Sequence, residues 1–179
     1  MHEPYLQHGP WLSVGLVAVL VVACWTDWRS NRIPNWLTLA GMVLGLGLRL
    51  AEGPSALVEG SLGFGLAVLV ALPAFATGVL GGGDAKLLMA VAAVLGPRNF
   101  GFAVLAIAVA GGLLALAEAL RRGMLRPALT LCGATLLHWV TFGRLGPVPR
   151  PLAAQKVTVP YGLAIAAGTM VWWFLGGVS

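Results

Sequence analysis

Long apolar runs separated by short polar breaks set the plan of this chain. The first run covers residues 11–26 and ends in Trp25 and Trp28, side chains suited to a membrane–water interface. The break Asp27-Trp28-Arg29-Ser30-Asn31-Arg32-Ile33-Pro34-Asn35 follows. Pro34 forces Ile33 out of the helical region and is itself suited to a helix's first turn. One helix is therefore expected to end near Asp27 and the next to start near Pro34. The second run is 36–49, with Gly41, Gly45 and Gly47 available for close packing, then a polar loop over 49–59. The third is 61–80, with Pro73 as an expected kink.

Gly81-Gly82-Gly83-Asp84-Ala85-Lys86 comes next, and three glycines, each costing about 1 kcal/mol against alanine, oppose a helix there. The fourth run, 85–96, is stopped by Pro97. Twelve helical residues rise roughly 18 Å against about 30 Å of hydrocarbon, so this run is too short to span alone. That would place Asp84 on the order of 10 Å below the near interface. Non-helical backbone at such depth is tolerated only where protein or a wet cavity surrounds it. The fifth run is 100–120, carrying Glu118, and the last is 160–178. Residues 129–141 are apolar but short, hold His138 and Trp139, and lie between Arg126 and Arg144. They read as an interfacial helix, with a seventh span as the competing reading. The expected fold is thus all-α: one integral-membrane domain over 1–179 with six spans and one interfacial helix.

Composition changes this picture little. The chain is 59% hydrophobic and 9% charged, against about 45–50% and about 25% in soluble domains. A net charge of +5 raises nucleic acid as a partner, but no basic helix or aromatic–basic surface carries it. Six spans with both ends outside put nine Lys and Arg in inner loops and two in outer ones, a positive-inside bias. Cys24 and Cys132 belong to no CxxC or Cys/His cluster and read as small buried side chains; His2, His8 and His138 are scattered, so no metal is expected. Val21-Val22-Ala23-Cys24 resembles a lipoprotein cleavage box, but residues 1–10 contain no Lys or Arg, so the segment is kept as a span.

The chemistry rests on carboxylates. Asp27 and Asp84 are the two aspartates of the chain, each at a break and, by the charge count, on one membrane face. Alone, each is explained by capping or loop solvation. As a pair in a low-dielectric site they would share a proton, one activating water and the other protonating a scissile carbonyl, with no metal or other cofactor.

Asp27 with Arg32-Ile33-Pro34-Asn35, then Gly81-Gly82-Gly83-Asp84-Ala85-Lys86-Leu87, then Val159-Pro160-Tyr161-Gly162 resembles the type IV prepilin peptidases, GxGD membrane aspartic proteases. The resemblance runs over residues 11–178. It implies an aspartic endopeptidase of the bacterial inner membrane, with Asp27 and Asp84 catalytic. Gly81, Gly83, Lys86, Pro34, Asn35, Pro160, Tyr161 and Gly162 would shape the motif and substrate cleft. The implied partner, besides the bilayer, is a prepilin or pseudopilin whose leader is cut at the cytoplasmic face. About ten residues precede the first run and no CxxC occurs, so the chain resembles the short, peptidase-only branch of tight-adherence (Flp-type) pilus systems. N-methylation is then not expected. Lys86 otherwise reads as a snorkelling lysine, Pro160 and Tyr161 as a first-turn proline and an interfacial ring. Glu118 reads as a partner of Arg121 or Arg122. A non-catalytic scaffold or transporter subunit is the alternative function. It would need neither aspartate.

Overall fold

A computed structural model describes residues 10–30, 32–76, 80–141 and 161–175, and all regular structure among them is α-helical. The helices are α1 (Pro10–Ser30), α2 (Asn35–Glu52), α3 (Pro54–Ala76), α4 (Gly82–Arg121), α5 (Leu125–Val140) and α6 (Tyr161–Leu175). Three of them are long and apolar enough to cross a membrane: Trp11–Ser30, Pro54–Ala76 and Gly82–Arg121. The chain is a multi-pass membrane protein, but six spans plus an interfacial helix is not its architecture. Helix α2 ends in Arg49 and Glu52, which dilute its hydropathy; α5 has 16 residues and α6 has 15. Each is short against the ~20 residues that a bilayer needs.

Several expected boundaries move for identifiable reasons. Helix α1 continues through Asp27 to Ser30, since nothing in Asp-Trp-Arg-Ser breaks a helix. The Ser30 hydroxyl donates back to the Thr26 carbonyl at 2.7 Å. The polar loop expected over 49–59 is mostly helix. Gly53, at φ 131°, makes the whole turn, and Pro54 opens α3 at once, as a first-turn proline can. The expected runs 85–96 and 100–120 belong to one helical stretch broken only at Gly96, where φ is 75°. Pro97 then restarts the helix in the position that needs no N–H donor. The glycine run is also more helical than expected, because Gly82 and Gly83 form the first turn of α4. Burial of the turns that follow offsets their poor propensity.

The chain divides into two compact units, Met1–Gly111 with Pro160–Ser179, and Gly112–Val159. In the first, Leu12, Leu16, Leu20 and Ala23 form one face of α1, and Leu87, Val91 and Leu95 one face of the first half of α4. Both faces enter a single core with Phe100, Ala103, Ile107 and Ile165. Trp11, Val14, Val21, Trp25 and Trp28 lie exposed on the other side of α1. A helix apolar on both sides suits lipid outside and protein inside. In the second unit α4 closes with Gly123 at φ 65°, the Met124 N–H reaching the Ala119 carbonyl at 2.8 Å. This is a Schellman cap. Glu118 pairs with both Arg121 and Arg122. The side chain of Cys132, expected to be small and buried, lies outside the described residues, as does that of His138.

Helix α3 approaches α4 closely through glycine. A Cβ on Gly63 would collide with the Ala92 carbonyl oxygen and lie 2.9 Å from Gly96, whereas one on Gly65 would touch nothing. Gly63→Ala should therefore destabilise the protein by about 1–3 kcal/mol, as overpacking does. Gly65→Ala should be neutral or slightly stabilising. Thermal unfolding of the two variants in one detergent checks this; equal midpoints would refute the packing.

Candidate active site

Asp27 occupies the last turn but one of α1, and it is 5% exposed. Its partner comes from the other end of the sequence. The backbone N–H of Gly162, in the first turn of α6, donates to Asp27 Oδ2 at 2.8 Å. The first N–H groups of a helix have no intrahelical acceptor, so a carboxylate facing them satisfies a donor and meets the positive end of the helix dipole. Only glycine fits there, since a Cβ on residue 162 would sit 2.7 Å from Asp27 Oδ2. Cys24, one turn before Asp27, directs its Sγ to the Gly162 carbonyl at 3.9 Å. Both backbone groups of Gly162 thus face α1.

Asp84 lies in the first turn of α4 and is partly buried. Gly81, just before the helix, gives its N–H to the Asp84 carboxylate, while its carbonyl accepts the Ala85 N–H at 2.9 Å. The bond to the Gly81 N–H is one half of a capping box, so Asp84 does cap its own helix. Capping and a second role are compatible, because a carboxylate has two oxygens and about four acceptor positions. Asp84 also lies within the electrostatic field of Asp27, and Tyr161 within that of Asp84. Among the described residues neither aspartate has an ion-pair partner.

The segment between α1 and α2 supports this end of α4. Pro34 stands before α2 at φ −64°, ψ 139°, and its carbonyl accepts the Leu37 and Thr38 N–H groups. Ile33 is buried, and a Cβ on Gly83 would come 3.1 Å from Ile33 Cβ and 3.2 Å from its carbonyl oxygen. Glycine at 83 therefore lets α4 rest directly on the 33–34 backbone. Lys86 is exposed, but its Nζ donates to Asn35 Oδ1 at 2.9 Å, tying the first turns of α4 and α2 together. Tyr161 is half-buried, and its hydroxyl lies against Gly111, where a Cβ would be 2.9 Å away.

Of the residues singled out in the sequence, Asp27 and Gly162 meet directly, as do Lys86 and Asn35, while Gly81 and Asp84 meet within one turn. Gly83 reaches Pro34 only through Ile33. Pro160 lies outside the described residues. Sequence reasoning missed the part played by Cys24, Ile33 and Gly111. The spacing Cys24–Asp27, three residues on a helix, was the available signal for the first. Nothing local marks Gly111.

Because Lys86 is solvent-exposed, its link to Asn35 adds little beyond what Gly83 and Ile33 already fix. Lys86→Ala is expected to lose no more than about tenfold in any activity of this site, as befits one exposed hydrogen bond. A loss comparable to that of an aspartate would show that the ammonium acts on the chemistry itself.

Comparison with curated proteins and with solved structures yielded no match. The model of the type IV leader peptidase family matches residues 14–116, more than half of the chain and a stretch that includes both aspartates. The chain belongs to the type IV leader peptidase family.

Proposed function

We propose that this protein is a membrane aspartic endopeptidase that cuts the leader from type IV, Flp-like prepilins or pseudopilins, with Asp27 and Asp84 as its catalytic pair. The observation that carries this is the buried Asp27, held on the Gly162 N–H with Asp84 in its field and no cation pairing with either among the described residues. Two carboxylates so arranged can divide the labour of amide hydrolysis. The ionised one takes a proton from water, and the resulting hydroxide attacks the scissile carbonyl. The protonated one gives its proton to the carbonyl oxygen, and collapse of the tetrahedral adduct releases the amine, protonated in turn. Family membership supports proteolysis of prepilin-like substrates.

Arg29 and Arg32 follow Asp27, and Lys86 follows Asp84. Positive charge beside apolar spans favours the cytoplasmic side, so the reaction is assigned to the cytoplasmic face of a bacterial inner membrane. The chain holds no CxxC pair, and the proposed reaction is cleavage without methyl transfer. The purified protein in detergent or liposomes, given a synthetic prepilin-type leader joined to its apolar helix, should release a single new N-terminus, read by mass spectrometry. An intact peptide under conditions where the protein is folded would leave the scaffold reading in place.

A further inference from the structure

Arg49 is the most deeply buried cation among the described residues, 2% exposed near the end of α2, and the proposed chemistry makes no use of it. Its Nε and Nη2 both donate to the carbonyl of Val94, at 3.1 and 2.6 Å, and Nη1 reaches Glu59 Oε2 at 3.4 Å. Val94 lies in the last turn of the half-helix that begins with the Asp84 turn. Gly96 breaks the ladder there and Pro97 supplies no N–H, so the last carbonyls need donor partners from elsewhere. A guanidinium serves, and its charge also suits a helix C-terminus. Helix α3 closes on the same end, for a Cβ on Gly60 would lie 2.8 Å from the Ala93 carbonyl oxygen.

Helix α2 therefore grips this half-helix at both ends. Asn35, its first residue, holds Lys86, and Arg49, in its last turn, holds Val94. Between them Gly41 and Gly45 let the two helices touch, a Cβ on either meeting Ala90, Ala93 or Val94. Movement of the half-helix along its own axis would carry Asp84 with it, about 1.5 Å for each residue of slippage. Misplacement of a catalytic group by about 1 Å is enough to cost roughly a hundredfold in rate. We propose that Arg49 is a positioning residue that fixes the axial placement of Asp84 by holding the Val94 carbonyl at the far end of the same half-helix. The inference rests on the reading of Asp84 as catalytic.

The test compares Arg49→Met, Arg49→Lys and the unaltered protein in liposomes, with leader cleavage measured per folded molecule. A second readout needs no substrate: the cross-linking rate of an Asn35→Cys/Lys86→Cys pair, which reports where the first turn of α4 sits. Arg49→Met should lower kcat about tenfold or more with KM within about twofold, and slow the cross-link several-fold. Arg49→Lys, which keeps one donor for Val94, should fall between. Should Arg49→Met not fold, Arg49→Lys carries both readings. Unchanged kcat, or a loss of kcat with the cross-link unaltered, would overturn the proposal. If the unaltered protein cuts no leader, the proposed function fails, and the cross-link alone decides whether Arg49 sets the position of α4.

Discussion

Asp27→Asn and Asp84→Asn should each abolish leader cleavage, a loss of roughly a thousandfold or more, and the double variant should be little worse than either single one. Asparagine keeps the size of the side chain and can still accept the Gly162 or Gly81 N–H. What it removes is the ability to exchange a proton. A pair acting as one unit fails once either member is lost, so the losses cannot add. The variants should insert and fold as the parent does, because removing a carboxylate from an apolar bundle relieves a cost. Mass spectrometry of the peptide N-terminus, with size-exclusion profiles of each variant, checks both parts. Full cleavage by Asp84→Asn would leave Asp84 as the capping residue that its bond to Gly81 already makes it. Additive losses would mean that the two carboxylates act in separate steps.

The two aspartates were legible because a charge beside an apolar run is costly and therefore conspicuous. What held them was not. The Asp27–Gly162 bond joins residues 135 apart, and no periodicity or cap signal in either segment announces the other. Tyr161 and Gly162 entered as candidates only through the family resemblance. The loop expected over 49–59 failed for a related reason. By their charge, Arg49 and Glu59 bound a polar loop in the sequence. Here Arg49 is buried against a carbonyl that Pro97 and Gly96 leave short of partners, so α2 and α3 extend into the supposed loop. Local sequence shows where charge is expensive, but the tertiary partner that compensates it is invisible there. The glycine run misled in the opposite sense. Its propensity argues against helix, yet Gly83 is helical, and it is glycine because Ile33 lies where any side chain would go.

Gly162→Ala is the substitution expected to separate the architecture of the site from its carboxylates. It leaves Asp27 and Asp84 chemically intact and improves the intrinsic helix propensity of α6 by about 1 kcal/mol. The added methyl, however, would lie 2.7 Å from Asp27 Oδ2 and 3.2 Å from its Cβ and Cγ. The oxygen alone could swing aside, but the Cβ is fixed to α1, so relief requires α1 and the first turn of α6 to part. Parting them weakens the N–H contact to Asp27 and shifts its carboxylate. We expect kcat to fall about a hundredfold while KM changes little, since displacement near 1 Å has that scale of effect and the substrate's own contacts are not touched. Thermal stability should drop by about 1–3 kcal/mol, the usual cost of overpacking. Gly101→Ala, where a new Cβ would meet nothing within 4 Å, is the matched control and should leave both rate and stability unchanged. If Gly162→Ala cleaved the leader at the parental rate, Asp27 would not be positioned by α6, and the catalytic geometry proposed for this pair would be wrong even if both aspartates proved essential.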